Sequence, residues 1–413
     1  MKSALKFLAF LSAANGLLLF MRPRDTSLNM LIWFPKMIAI ALSAVMGIIG
    51  FLSMLFGLMK RDWSMSLAGF LSAGLAARYI EEIPDGLHQF SSVFGRESDE
   101  PQALNNGGSV EIHRNLVIGQ KPRGGKPFLA DLWLPKGSTS GDLGIIYVHG
   151  GGWRIGDKDM LTRPFFRRLA GKGYVILDIA YSLHPEADIP TMVREVNQAI
   201  LWMKENSRAY GVDPERIVLM GGSAGAHLSL LAAYASDQPE FQPAGRNNNT
   251  AVSGVVAYYP VADLRETDDL TQNEYSQVPR LVKKLADGMF NRIFDLHSNA
   301  SAKGNDHNSG YKNYLSHILG GAAEEIPEIY DLLSPITHVS KECPPTLLLH
   351  GSDDVFGLTA HVRCLHRALQ GAGVPAVLVE YPHTEHGFDL ILPQISPVAQ
   401  AATREVERFL SLL

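Results

Sequence analysis

Residues Gly221-Gly222-Ser223-Ala224-Gly225 set a serine between an uninterrupted apolar run, Ile217 to Met220, and a run of helix formers, Ala226 to Ala233. The first run reads as a strand buried on both faces and the second as a helix packed behind it. A serine on that corner is held in a strained backbone with its hydroxyl thrust outward, where it can attack a carbonyl carbon. Gly221 and Gly225 are needed because side chains two residues either side would collide across so tight a turn. Upstream, His149-Gly150-Gly151-Gly152-Trp153 follows the apolar stretch Ile145 to Val148. Glycine there lets backbone N–H groups approach a reacting oxygen. The amides of Gly151, Gly152 and Ala224 are candidate oxyanion donors, each worth about 3–4 kcal/mol in a transition state. No lysine follows at P-loop spacing and no G-x-G-x-x-G occurs here, which disfavours a phosphate loop.

Two further strand ends carry the partners such a serine requires. Thr346 to His350 leads into Gly351-Ser352-Asp353-Asp354, and Val377 to Tyr381 leads into Pro382-His383-Thr384-Glu385-His386-Gly387-Phe388. The order serine, aspartate, histidine is that of the α/β-hydrolases. His386 is then the base that takes the Ser223 proton, and the aspartate fixes its tautomer and stabilises the imidazolium. A metal reading of His383 and His386 lacks a third convergent ligand and is not favoured, so no metal or cofactor is expected.

These residues resemble the hormone-sensitive-lipase-like branch of α/β-hydrolase esterases. Within it the likeness is to the group of prenylcysteine methylesterases, arylformamidases and bacterial feruloyl or acetyl esterases. It covers roughly residues 110 to 413 and includes Gly156-Asp157-Lys158 and Asp213-Pro214-Glu215-Arg216-Ile217. The lipase subgroup has G-D-S-A-G at the elbow and its acid in a D-P-L stretch, whereas this chain has Gly222 and HGSDD. In similar HGxxD segments the acid lies four residues past the histidine, which selects Asp354, with Asp353 as the alternative. His386-Gly387-Phe388 matches the family's ending. The resemblance implies a serine carboxylic-ester hydrolase working through an acyl-enzyme on a small-molecule ester. An arylformamidase-like amidase and a non-catalytic receptor on the same fold are the alternatives. Trp153 either lines the substrate pocket or anchors the glycine loop.

The elements around these motifs alternate strand and helix, which implies a mostly parallel sheet with helices on both faces. A hairpin at Glu111–Ile118 and Phe128–Leu134 is expected at the sheet edge. Residues 110–413 form the α/β-hydrolase domain, with a lid or insertion at about 264–332. Before it come a polar linker over 85–109 and an apolar segment over 1–84. Met37 to Met59 carries no charge and reaches about 34 Å as a helix, long enough to cross a hydrocarbon core. Phe7–Met21 reads as another span, and Trp63–Ala77 as a third span or an interfacial helix. A lipid bilayer is therefore an expected partner and a multi-pass membrane location is expected. The chain has 413 residues, 46% of them hydrophobic, and a net charge of −5, which gives no reason to expect nucleic acid.

Overall fold

The apolar runs ahead of the four motifs lie in one sheet. In the computed structural model, residues 2–23, 26–96, 109–121, 125–137, 142–243, 249–267 and 314–413 are described, together with 281 and 285. The strands are β1 (Val110–Gln120), β2 (Pro127–Pro135), β3 (Gly144–Val148), β4 (Val175–Ile179), β5 (Ile217–Gly222), β6 (Gly254–Tyr258), β7 (Thr346–Gly351) and β8 (Ala376–Tyr381). Their order is β1-β2-β4-β3-β5-β6-β7-β8. The hairpin β1–β2 is antiparallel and joins β4 antiparallel; the remaining pairings are parallel.

The helices are α1 (Lys2–Leu19), α2 (Thr26–Ala41), α3 (Ser43–Met59), α4 (Trp63–Glu81), α5 (Leu87–Phe94), α6 (Arg163–Gly171), α7 (Ile189–Tyr210), α8 (Ala224–Tyr234), α9 (Tyr314–Leu319), α10 (Pro327–Leu332), α11 (Thr359–Gly371) and α12 (Pro397–Ser411). Side chains alternate across each strand, so Ile217 and Leu219 pack against α7 and α8, whereas Val218 and Met220 face α6 and α12. Helix α12 begins on the Ser396 cap with Pro397 behind it, where a missing N–H costs nothing.

The N-terminal segment departs from expectation. The run Met37–Met59 is not one helix: it breaks at Leu42, and α2 and α3 meet with a bend of 69°. Tertiary packing explains the break. Met37, Ala39 and Ile40 are buried as α2 lies against the sheet domain, while α3 packs with α1 and α4. Among the described residues no single helix is long and apolar enough to cross a membrane, although the bent pair passes that test together by length and composition.

Helices α1, α3 and α4 form a bundle with small residues inside. Gly50, Ser53, Gly57, Gly69, Ser72 and Ala76 are buried between α3 and α4. A Cβ on Gly50 would stand 2.6 Å from that of Ser72, so the two backbones touch. The outer face carries large apolar side chains, Trp63 at 75% exposure and Leu67 at 69% among them.

Part of the expected linker is ordered helix. Helix α5 spaces Leu87, Phe90 and Phe94 on one side, Phe90 is buried, and Phe94 meets Phe409 edge-on at 6.0 Å. Residues 97–108 of that linker lie outside the described residues, as do 268–313 of the expected lid apart from 281 and 285.

Candidate active site

Strand β5 ends in a turn that forces Ser223 to φ 55° and ψ −122°, a region a non-glycine residue enters only under constraint. The constraint is visible in its neighbours. A Cβ on Gly221 would lie 2.6 Å from the Gly225 backbone, and one on Gly225 would overlap the carbonyls of Val148 and His149. The Ser223 N–H is tied to the Tyr258 carbonyl on the adjoining strand at 2.9 Å.

Ser223 Oγ lies 2.9 Å from His386 Nε2, and His386 Nδ1 lies 2.8 Å from Asp354 Oδ2. The other Asp354 oxygen accepts from the Phe356 N–H at 2.8 Å. Of the two aspartates left open by the sequence, Asp353 is engaged elsewhere, accepting from Lys36 Nζ at 2.7 Å and from Ser352 Oγ at 2.9 Å.

Burial alone would raise the Asp354 pKa. The adjacent His386, with His350 and the Phe356 N–H, outweighs burial and holds this carboxyl below the usual carboxylate range. It therefore stays charged at neutral pH, as a group that must face an imidazolium should. His350, whose Nε2 lies 3.5 Å from Asp354 Oδ2, is pushed down to about 4 by burial and stays neutral.

Gly151 and Gly152 both sit at positive φ and line the cavity beside Ser223. Ala224 is the first residue of α8, where the opening N–H groups have no acceptor within the helix. His149 supports the loop from behind: its ring stacks on Tyr181 at 4.3 Å and bonds the Gly150 carbonyl at 2.7 Å. Burial lowers its pKa to about 4, so it packs as a neutral ring. Trp153 lines the cavity, and its Nε1 donates to His227 Nδ1 on α8 at 3.3 Å.

The cavity above Ser223 holds about 540 Å³, within the range of small-molecule sites. Its walls are almost wholly apolar, from Trp153, Tyr259, Phe356 and Leu358 on the sheet domain. Tyr314 and Leu315, at the described end of the expected lid, also line it. One wall was not foreseen. Trp33, Phe34 and Met37 of α2 line the same cavity, so the start of the run read as membrane-spanning, at Met37, reaches the site. The absence of charge from Met37 onward hid this, because burial in lipid and burial against a protein core select the same side chains.

The chain is similar to several known proteins. The sequence profile of the BD-FAE family matches residues 130–369, and that of the dienelactone hydrolase family matches residues 330–413. The chain belongs to the BD-FAE family. It is 31% identical to "Esterase LipQ" of Mycobacterium tuberculosis over 65% of this chain and 56% of that protein. It is 28% identical to "Isoprenylcysteine alpha-carbonyl methylesterase ICME" of Arabidopsis thaliana, over 69% of this chain and 58% of that one. The chain thus spans little more than half the length of these relatives. Among solved structures, propionate-bound Est2 of Thermogutta terrifontis superposes with a TM-score of 0.52 at 20% identity, covering 75% of this chain and 95% of that one. That similarity establishes the α/β-hydrolase fold.

Proposed function

We propose that this chain is a membrane-bound serine hydrolase that cleaves carboxylic esters of apolar compounds through an acyl-enzyme intermediate. The observation that carries the reading is the continuous chain from Ser223 through His386 to Asp354 at the floor of an apolar cavity. His386 Nε2 takes the Ser223 proton as Oγ attacks the ester carbon, and Asp354 stabilises the imidazolium that forms. The amides of Gly151, Gly152 and Ala224 receive the developing negative oxygen. His386 then returns the proton to the departing alcohol. A water molecule, activated by the same imidazole, releases the acid and restores the serine.

Membrane association rests on the bundle of α1, α3 and α4. Small residues inside and large apolar residues outside are the packing expected where helices meet in lipid, with little hydrophobic drive between them. The names of the relatives, an esterase and a methylesterase, support ester over amide chemistry.

The test is covalent labelling of the full chain in its membranes with a fluorophosphonate. Incorporation at Ser223, lost on Ser223→Ala and retained by membranes washed at alkaline pH, is the expected result. Labelling that survives Ser223→Ala refutes the nucleophile. A chain released by the wash refutes the membrane assignment alone.

A further inference from the structure

Four consecutive residues of the loop after β8 are each held by the N-terminal segment. His383 Nε2 pairs with Glu82 at 3.0 Å, and its ring lies 4.6 Å from that of Phe20. Thr384 Oγ1 shares a 3.0 Å hydrogen bond with Tyr79 Oη. Glu385 faces Lys36 Nζ at 3.2 Å. The carbonyl of His386 itself accepts from Trp33 Nε1 at 3.0 Å. The last of these four residues carries the imidazole that contacts Ser223.

Lys36 is the central member. Its side chain has no solvent exposure, yet it lies on a helix whose flanking turns are apolar. Its ammonium donates to Asp353 Oδ2 at 2.7 Å and to the Met21 carbonyl at 2.8 Å, and it stands 3.2 Å from Glu385 Oε1. Asp353 precedes the Asp354 that orients the imidazole, and Glu385 precedes the imidazole residue. One cation therefore bridges the two loops that must present carboxylate and imidazole to one another. The loops are also laced directly: the His383 N–H donates to Ser352 Oγ at 3.0 Å, and the Asp353 N–H to the Thr384 carbonyl at 3.0 Å. A fully buried lysine is costly to maintain and is placed only where carboxylates compensate it. Here both carboxylates adjoin the reacting groups.

We infer that Lys36 and Trp33 of α2 are positioning residues that hold the Asp354 and His386 loops in register, so that the N-terminal segment completes the active site. The inference rests on the Ser223–His386–Asp354 reading, but it assigns the segment a role beyond attachment. Removal of the Lys36 charge leaves Glu385 without its cation and Asp353 with only the solvent-exposed Arg22 guanidinium, 3.5 Å away. Both loops then relax apart, and the imidazole is displaced from Ser223. Misplacement on the scale of 1 Å is enough to cost about 10²-fold in rate. The effect falls on the chemical step, because Lys36 does not line the cavity.

The test measures turnover of a short-chain aryl ester by the full chain in detergent micelles. Active sites are counted by fluorophosphonate titration, so that unfolded protein drops out. In Lys36→Met, kcat per titrated site should fall by about tenfold or more with KM changed less than about threefold. Lys36→Met combined with Asp353→Asn, which removes the pair together, should recover most of that loss. Trp33→Phe keeps an aromatic ring but deletes the donor to the His386 carbonyl and trims one cavity wall, so its KM is read separately; kcat per site should fall about threefold to tenfold. If Lys36→Met yields no folded protein, Trp33→Phe and Tyr79→Phe decide the matter by the same measure. Values of kcat per site within twofold of the parent in the folded variants, whatever happens to their melting temperatures, overturn the inference. A parent chain that takes no label overturns the serine reading instead.

Discussion

Glu385→Gln should gain stability relative to the parent on going from pH 5 to pH 8. The carboxylate of Glu385 is buried, and among the described residues the cation beside it is Lys36, 3.2 Å away. Burial raises its pKa from 4.5 to about 7; the nearby Asp354 and Asp353 raise it too, and Lys36 opposes them. Between those two pH values the folded chain holds a proton that the unfolded chain has released. Stability contributed by this group therefore falls as pH rises from about 4.5 to about 7 and stays low above that. At about 1.4 kcal/mol per pKa unit, the cost at pH 8 is on the order of 3 kcal/mol. Glutamine keeps the shape of the protonated acid and cannot ionise. Its amide brings an N–H group that the acid lacks, and leaving a buried donor unmet costs about 1–3 kcal/mol. That cost is the same at both pH values, so the informative quantity is the change in the parent-to-variant difference between pH 5 and pH 8. Thermal unfolding of both proteins in one detergent, monitored by tryptophan fluorescence, supplies it. The variant should gain several degrees relative to the parent on going from pH 5 to pH 8. Parallel stability profiles for the two proteins across this range would refute the assignment of a late-titrating buried acid at this position.

The other expectations concern the reacting groups. Ser223→Ala should lower turnover of a short-chain aryl ester by about 10⁴-fold or more, measured on purified full chain; residual turnover within tenfold of the parent would remove Ser223 from the mechanism. Asp354→Asn should cost about 10⁴-fold in kcat through the wrong imidazole tautomer, well beyond the loss in Asp353→Asn, and equal losses would contradict the 2.8 Å contact that singles out Asp354. Gly225→Ala should destabilise the elbow by about 3 kcal/mol or more and abolish fluorophosphonate labelling, because its Cβ would overlap two backbone carbonyls that cannot yield. Normal labelling of that variant would mean that the turn is looser than its geometry indicates.

The parallel strands were legible because each is a mostly apolar run five or six residues long. Such a run has only one way to bury both faces. The order of Ser223, Asp354 and His386 was legible for a related reason: all three sit at the carboxyl ends of parallel strands, where an open sheet gathers its chemistry. Helix α6 was missed because Arg163, Arg167 and Arg168 mask its one buried stripe of Phe166, Leu169 and Ala170. Helix α5 was missed because eight residues carry too short a period to separate from the polar tract behind them.

The N-terminal segment exposes a deeper limit. Hydropathy reports that a side chain avoids water, not what replaces the water. In α3 the replacement is neighbouring helices on one side and an exposed apolar face on the other; in α2 it is the catalytic domain. The one sequence mark separating them is Lys36, a charge at the edge of an apolar run, which reads as an anchor at a membrane surface. Its carboxylate partners Asp353 and Glu385 lie more than three hundred residues away, and no local pattern links them. The same charge that suits a headgroup region suits a buried ion pair, and only tertiary structure distinguishes them. Because that pair adjoins both Asp354 and His386, the distinction decides whether the segment merely tethers the chain or shapes its active site.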